Sequence, residues 1–303
     1  MKKTSIVVVG SSNTDMVVRA AHLPGAGETI MGGTFFMNAG GKGANQAVAA
    51  ARLGGAVTFI AKTGDDIFGR QAIELFFKEG IDTTCVLTDR SNPSGVALIT
   101  VDDHAENCIV VAPGANAALV PDDISAFTET IQQASILLVQ LEIPMETVGY
   151  AIQTAVAKQV KVILNPAPAC AIPDELLEMV DVITPNETEA AMMTGVKVVD
   201  IQSAEIAARK LQVRGVDTVI ITLGVQGAFL LHGETAVLIP ATVVNPVDTT
   251  AAGDIFNGAL AVALSENRPM GEAVRFACAA ASLSVTRLGA QASAPYRNEL
   301  TTS

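Results

Sequence analysis

Short apolar runs of β-branched residues alternate with longer segments in which apolar positions recur every three to four residues, beginning with Ser5-Ile6-Val7-Val8-Val9. The runs at 5–10, 57–63, 136–141, 160–165, 182–185, 218–222, 228–231 and 236–239 predict strands, and the segments at 44–53, 70–79, 145–157, 202–214 and 270–287 predict helices. Strands that are apolar at every position belong to a mainly parallel sheet with helices on both faces, an α/β/α sandwich. Ligands then belong at the C-terminal ends of the strands.

Two regions break the alternation. Residues 15–38 carry short extended pieces among glycines (Met16-Val17-Val18-Arg19, then Glu28-Thr29-Ile30-Met31), and residues 94–113 run extended on either side of the polar turn Asp102-Asp103-His104-Ala105-Glu106-Asn107. Both predict strands of a small β layer outside the main sheet. Beside a pocket such a layer can exclude water; an ordinary hairpin or a dimer strand fits the pattern equally well. With no internal repeat, linker or composition break, residues 1–303 read as a single unit.

Composition narrows the function classes. Against 31 acidic residues stand 19 Lys and Arg, a net charge of −12, and no basic cluster offers a nucleic-acid face. Half of the 303 residues are hydrophobic, yet no uninterrupted apolar stretch approaches the ~18–20 residues of a membrane span. The two lysines before the first strand precede a run too short for a signal peptide. Cys85, Cys108, Cys170 and Cys278 have no CxxC spacing, and His22, His104 and His232 are equally scattered, which disfavours disulfides, a zinc site and a His-based triad. A cytoplasmic enzyme acting on small molecules is the expectation.

The candidate chemistry centres on Val247-Asp248-Thr249-Thr250-Ala251-Ala252-Gly253-Asp254, a run of small residues leading into the apolar helical face Ile255, Phe256, Ala259, Leu260, Ala263, Leu264. The first N–H groups of a helix lack internal acceptors and carry the positive end of its dipole, so a negative oxygen is stabilised there. Asp254 is a candidate general base and the N–H groups near Ala252 and Gly253 a candidate anion hole; plain helix capping uses the same residues. The methyl group of Ala251 argues against a positive φ at that position.

A second stretch, Gly40-Gly41-Lys42-Gly43-Ala44-Asn45-Gln46, is a glycine loop entering a helix of small residues. It is no Walker A loop, because Gly43 follows Lys42 where Ser or Thr is needed, and no GxGxxG follows the first strand. A bare backbone with Lys42 and Asn45 as donors remains, suited to a polar ligand or to close helix packing. Asn13 and Asp15 follow the first strand, Glu142 follows the strand at 136–141, and Asn186 and Glu189 stand three apart at a helix start, the spacing of a capping box. Gly64 to Gly69 fits a turn with an acidic cap for the next helix. Thr222-Leu223-Gly224-Val225-Gln226-Gly227 ends a strand with exposed backbone.

Asp248-Thr249-Thr250-Ala251-Ala252-Gly253-Asp254 resembles the C-terminal signature of the ribokinase (PfkB) family of sugar and nucleoside kinases, with Ala251 at the usual first glycine, and the stretch from Ala39 to Gly54 resembles its N-terminal signature. The resemblance runs from Asn13 to Ser293. It implies a ribokinase-like fold with a small β lid and transfer of the ATP γ-phosphoryl group to the 5-hydroxyl of D-ribose. Deoxyribose or nucleoside phosphorylation is the alternative within the family, and a non-catalytic sugar sensor the alternative outside it. It further implies that Asn13, Asp15, Gly41, Lys42, Asn45, Glu142 and Asp254 bind the sugar. Asn186, Glu189, Thr222, Gly224, Val225, Gln226, Gly227, Gly253 and Cys278 serve ATP and its Mg2+. A K+ site involves Asp248, Thr250, Ser284, Arg287, Gly289 and Ser293, mostly through carbonyls, and two chains form a homodimer through the lid.

Overall fold

A computed structural model of the chain describes residues 5–104 and 106–300; positions 1–4, with the two lysines, Ala105 in the polar turn and 301–303 lie outside the described residues. Nine strands form the main sheet: β1 (Ser5–Val9), β4 (Ala56–Gly64), β5 (Val86–Asp89), β8 (Ile136–Val139), β9 (Lys161–Leu164), β10 (Val182–Ile183), β11 (Thr218–Thr222), β12 (Ala228–His232) and β13 (Thr235–Ile239). Their order is β13-β12-β11-β10-β9-β8-β1-β4-β5, all running in one direction except β12, which is antiparallel to both of its neighbours near one edge. The chain leaves β1 toward β4 on one side and later returns to its other side as β8, so the strand order reverses there and a crevice opens above the strand ends.

Every second residue of a strand faces the opposite layer. Ile6 and Val8 join the core formed with the helices Lys42–Arg52, Ala252–Ser265 and Met270–Ser284. Val7 and Val9 join the core on the other face, under the helices Met145–Val156 and Ile201–Val213. Both faces are dry, which is why the strands read as unbroken apolar runs. The alanine run of Lys42–Arg52 allows its helix to approach Ala252–Ser265 closely: a Cβ on Gly258 would lie 2.7 Å from both the Ala49 Cβ and the Gln46 carbonyl oxygen.

A second sheet holds four strands, β2 (Asn13–Arg19), β3 (Thr34–Gly40), β6 (Gly95–Val101) and β7 (Asn107–Ala112), in the order β3-β2-β6-β7. This is the predicted lid layer, with one correction. Residues 28–31 are not a strand: Gly27, Gly32 and Gly33 on either side adopt positive φ, Met31 is 90% exposed, and Phe35 and Phe36 pair with Val18 and Val17 instead. Strand β5 and the short helices Pro121–Ser125 and Thr128–Gln132 were not legible in the pattern, being too short to show a period. The acidic cap before the second helix is Asp66, whose carboxylate accepts from the Gly69 N–H. No described helix is long and apolar enough to cross a membrane.

Candidate active site

The strand ends deliver polar side chains to one crevice. Helix Ala252–Ser265 begins there, and Asp254 in its first turn is 6% exposed. Its carboxylate is not used for capping. Oδ2 accepts from Asn45 Nδ2 at 2.9 Å and Oδ1 from Gln46 Nε2 at 3.0 Å, both across more than two hundred positions of sequence. Burial drives the Asp254 pKa upward, while Lys42, Asn45 and Gln46 oppose the rise and Glu142 adds to it.

The residue before this helix corrects the sequence expectation. Ala251 adopts φ 60° and ψ 11°, the left-handed conformation that its methyl group disfavours by about 1 kcal/mol. The surrounding turn outweighs that cost. The Asp248 carboxylate accepts from the Thr250 N–H at 2.9 Å and from the Gly289 N–H at 2.9 Å, the Val247 and Asp248 N–H groups both reach the Val285 carbonyl, and the Ala252 N–H makes a long bond to the Thr249 carbonyl at 3.3 Å. The bend presents Gly253 to open space, with no atom within 4 Å of where its Cβ would stand.

On the other side of Asp254 lies the glycine loop. Gly41 has φ 87°, and a Cβ there would lie 2.6 Å from the Asn13 N atom; Gly40 faces the Asp15 carboxylate directly. Glu142 accepts from Ser11 Oγ at 2.6 Å and from the Lys42 N–H at 3.0 Å, tying the loop to the end of β8. Asn13 Oδ1 accepts from Asn116 Nδ2 at 2.8 Å, which leaves the Asn13 NH2 group as the donor it can offer a ligand. Asp15 is half-buried, and burial together with the Glu142 and Asp254 charges pushes its pKa to about 6 despite Lys42. For Lys42 burial opposes the charge, but Asp254, Glu142, Glu189 and Asp15 outweigh it and its pKa rises.

A cavity of about 180 Å3 joins Lys42, Asp254, Ala252 and Gly253 to Asn186, Glu189 and Thr222. Asn186 and Glu189 form a reciprocal capping box, at 2.8 and 2.9 Å, and burial raises the Glu189 pKa against the Asn186 N–H and Lys42. Thr222 is bridged to Asn186, and Gly224, Val225 and Gln226 make an exposed turn beyond it, closed by Gly227 at φ 105°. Cys278 packs in the apolar core, where burial pushes its thiol up to about 12, and it does not line the cavity. Around Asp248, Ser284 Oγ and Ser293 Oγ donate to the Ala281 and Ala290 carbonyls, and the Arg287 guanidinium pairs with Glu299 at 2.6 Å. Arg287 therefore offers that region only its main chain.

The two signature stretches, far apart in the chain, thus close on one acid through direct hydrogen bonds. The sequence matches the profile described as pfkB family carbohydrate kinase over residues 3–297. The chain belongs to the pfkB family of carbohydrate kinases. This pfkB chain is 47% identical over 299 residues to the ribokinase of Haemophilus influenzae, covering 99% of this chain and 97% of that protein. It is 38% identical over 291 residues to the deoxyribokinase of Salmonella typhi, covering 96% and 95%. The structure of Arabidopsis thaliana ribokinase complexed with ribose and ATP matches with a TM-score of 0.92 at 35% identity, covering 99% of this chain and 98% of that one. Like its family, the pfkB chain is a phosphotransferase with an alcohol acceptor.

Sequence reasoning missed several members of this pfkB site. Gln46, Asn116, Gln140, Asn165, Thr184 and Asn257 are buried polar residues whose amides and hydroxyl bond to site residues or to one another. Only Gln46 carried a signal, as a polar residue inside a run of alanines.

Proposed function

We propose that the chain transfers the γ-phosphoryl group of ATP to the 5-hydroxyl of D-ribose, giving ribose 5-phosphate and ADP. The observation that carries this reading is the buried Asp254 carboxylate, held by the glycine-loop helix at the mouth of its own helix and shared by two groups of polar residues. Asn13, Asp15, Gly41, Lys42, Asn45 and Glu142 stand on one side of it and grip the sugar hydroxyls. Asn186, Glu189 and Thr222 stand on the other, with Gly224, Val225, Gln226 and Gly227 beyond them, and face the nucleotide. Cys278 contributes to the adenine side only as packing behind it.

Asp254 takes the proton of the primary hydroxyl as that oxygen attacks in line. A raised pKa suits the role, since a base works best when its pKa approaches the working pH. The N–H groups near Ala252 and Gly253, with Lys42, stabilise charge on the transferring group. Two cations fit the donors present. Among the described residues no group of three or more acids, cysteines or histidines could cage a metal, but Glu189 with Asn186 would suit a Mg2+ held mainly by phosphates and water, which would neutralise phosphoryl charge. The Asp248 carboxylate ties the Thr250 and Gly289 N–H groups together, and main-chain carbonyls of these two segments, with Arg287, Ser284 and Ser293, would hold K+, which would steady the turn before Gly253. A lid-mediated homodimer is supported by the row Met37-Met16-Leu98-Val110, apolar across all four strands of the face opposite Asp15, with Met37, Leu98 and Val110 each at least half exposed.

The test is ADP release over a panel of ribose, 2-deoxyribose and adenosine, with and without K+, for the parent protein and Asp254→Asn. Ribose is expected to be preferred, because Asn13 and Asp15 lose a directed bond for each missing hydroxyl, and Asp254→Asn to lose roughly 10²- to 10⁴-fold in rate. Preference for 2-deoxyribose would favour the reaction of the Salmonella relative. Sugar binding without ADP release would mark a sensor.

A further inference from the structure

Three strand ends set a row of polar side chains under the catalytic acid. The last paired row of the main sheet runs Val9, Val139, Leu164, Ile183, and the residues that follow are Gly10, Gln140, Asn165 and Thr184. Gln140, Asn165 and Thr184 are 0%, 6% and 1% exposed, so their hydrogen bonds must be met within the protein. The two ends of a side-chain amide are told apart only by their partners. One partner here is unambiguous, because the Thr184 main-chain carbonyl can only accept.

Asn165 Nδ2 donates to that carbonyl at 3.2 Å, which turns Asn165 Oδ1 toward Gln46. Gln46 Nε2 then donates to Asn165 Oδ1 at 3.1 Å and to Asp254 Oδ1 at 3.0 Å. Gln46 Oε1 accepts from Gln140 Nε2 at 2.6 Å, and Gln140 Oε1, at the far end, is left buried without a partner against Gly10. Reversing the sense would set an amide oxygen against the Asp254 carboxylate. Within the chain Asn165–Gln46–Gln140 the unsatisfied atom therefore sits at Gln140, while Asn45 Oδ1, on the amide that holds Asp254 Oδ2, is likewise buried without a partner. Thr184 also acts through its hydroxyl: Oγ1 donates to Asn257 Oδ1 at 2.7 Å, and Asn257 Nδ2 donates to the Gly253 carbonyl at 2.8 Å.

The geometry points to Gln46 as a positioning residue for phosphoryl transfer: oriented by Asn165 and Gln140, it pins Asp254 Oδ1 while Asn45 holds Oδ2, and so fixes the plane in which the carboxylate meets the hydroxyl proton. This rests on Asp254 being the base. A donor on a carboxylate favours its charged form, so removing Gln46 Nε2 makes Asp254 harder to ionise. The other charges facing Asp254 are Lys42 from the glycine-loop helix, Glu142 after β8, Asp15 on β2 and Glu189 on the helix Glu187–Thr194. None of them is altered by a change at Gln46.

The experiment is the pH dependence of kcat with ribose and ATP for Gln46→Met, Gln140→Met and Asp254→Asn, with ribose KM and thermal unfolding of each. Gln46→Met keeps the length and removes the donor. Its kcat is expected to fall about 10- to 100-fold, the worth of a hydrogen bond to a charged group, with ribose KM little changed and the acidic limb of kcat moved to higher pH. Gln140→Met is expected to do the same more weakly, because Gln46 is then free to turn over. A packing role alone would lower the unfolding temperature and leave the acidic limb in place, and that result overturns the inference. If Asp254→Asn is as active as the parent, the base assignment itself fails. If Asp254→Asn is inactive while Gln46→Met keeps the parental kcat and limb, only the positioning role fails. Should Gln46→Met not fold, Gln140→Met decides: an unchanged kcat and limb there refutes the proposal.

Discussion

Asp15→Asn tests whether the proposed sugar side of the site is built at the expense of stability. An ordinary aspartate titrates near 3.8, whereas burial and the neighbouring Glu142 and Asp254 charges push Asp15 to about 6. Between those values the folded protein holds a proton that the unfolded chain has released, so stability falls as pH rises, and the loss is complete above about pH 7. The interval corresponds to roughly 3 kcal/mol at ~1.36 kcal/mol per pH unit. That figure is a ceiling, because the half-buried carboxylate keeps part of its hydration, and about 1–2 kcal/mol is the expected cost. Asp15→Asn removes the ionisation and nearly preserves the shape. At pH 8, without sugar, the variant should be more stable than the parent by about that amount, some 2–4 °C in Tm per kcal/mol. The same change should raise ribose KM and abolish most of the thermal stabilisation that ribose gives the parent. At pH 5 the stability gap should shrink to about half. The assay is thermal unfolding at the two pH values, each with and without ribose. A gap no larger at pH 8 than at pH 5, or a variant less stable than the parent at pH 8, would refute the reasoning.

Two further predictions use the backbone and the lid. The same glycine-to-alanine change should have opposite signatures at two positions: Gly41→Ala, with φ 87° and a Cβ 2.6 Å from the Asn13 N atom, should cost about 1–3 kcal/mol in urea unfolding and raise ribose KM. Gly253→Ala, with no atom within 4 Å of its Cβ, should leave unfolding unchanged and lower kcat by setting a methyl group in the path of the phosphoryl group. Met37→Glu with Leu98→Glu places charge in the exposed apolar row of the lid and should convert a dimer to a monomer in sedimentation; a parent that sediments as a monomer removes the dimer proposal.

The pattern of apolar positions carried the main sheet because parallel strands covered on both faces leave an unbroken signal, and Thr218–Thr222 even keeps its ends. The lid strands were weaker, since one face of β2 is wet and its partner β3 follows four glycines that any short extended run can imitate. Ala251 was misread for a different reason. Side-chain preference argues locally, but the φ of 60° is imposed by bonds from Asp248 to Gly289 and from Val247 to Val285, partners about forty positions away.

The site divides along the same line. Asp254, Asn45 and Lys42 were legible because their types and spacing carry chemistry by themselves. Asn165, Thr184 and Gln140 were not, because a polar residue at a strand end is ordinary until its neighbours in space are known. Their arrangement depends on β8, β9 and β10 ending in the same register, so that three unrelated stretches supply members of one hydrogen-bonded network joined through Gln46. A one-residue slip in any of these strands would turn its polar residue to the opposite face and remove it from the network through which Gln46 meets Asp254. The register of the sheet, fixed by the apolar residues beneath, is therefore part of what sets the direction of the N–H that meets the carboxylate. That is why the acid could be named from its motif, while the groups that aim it required the fold.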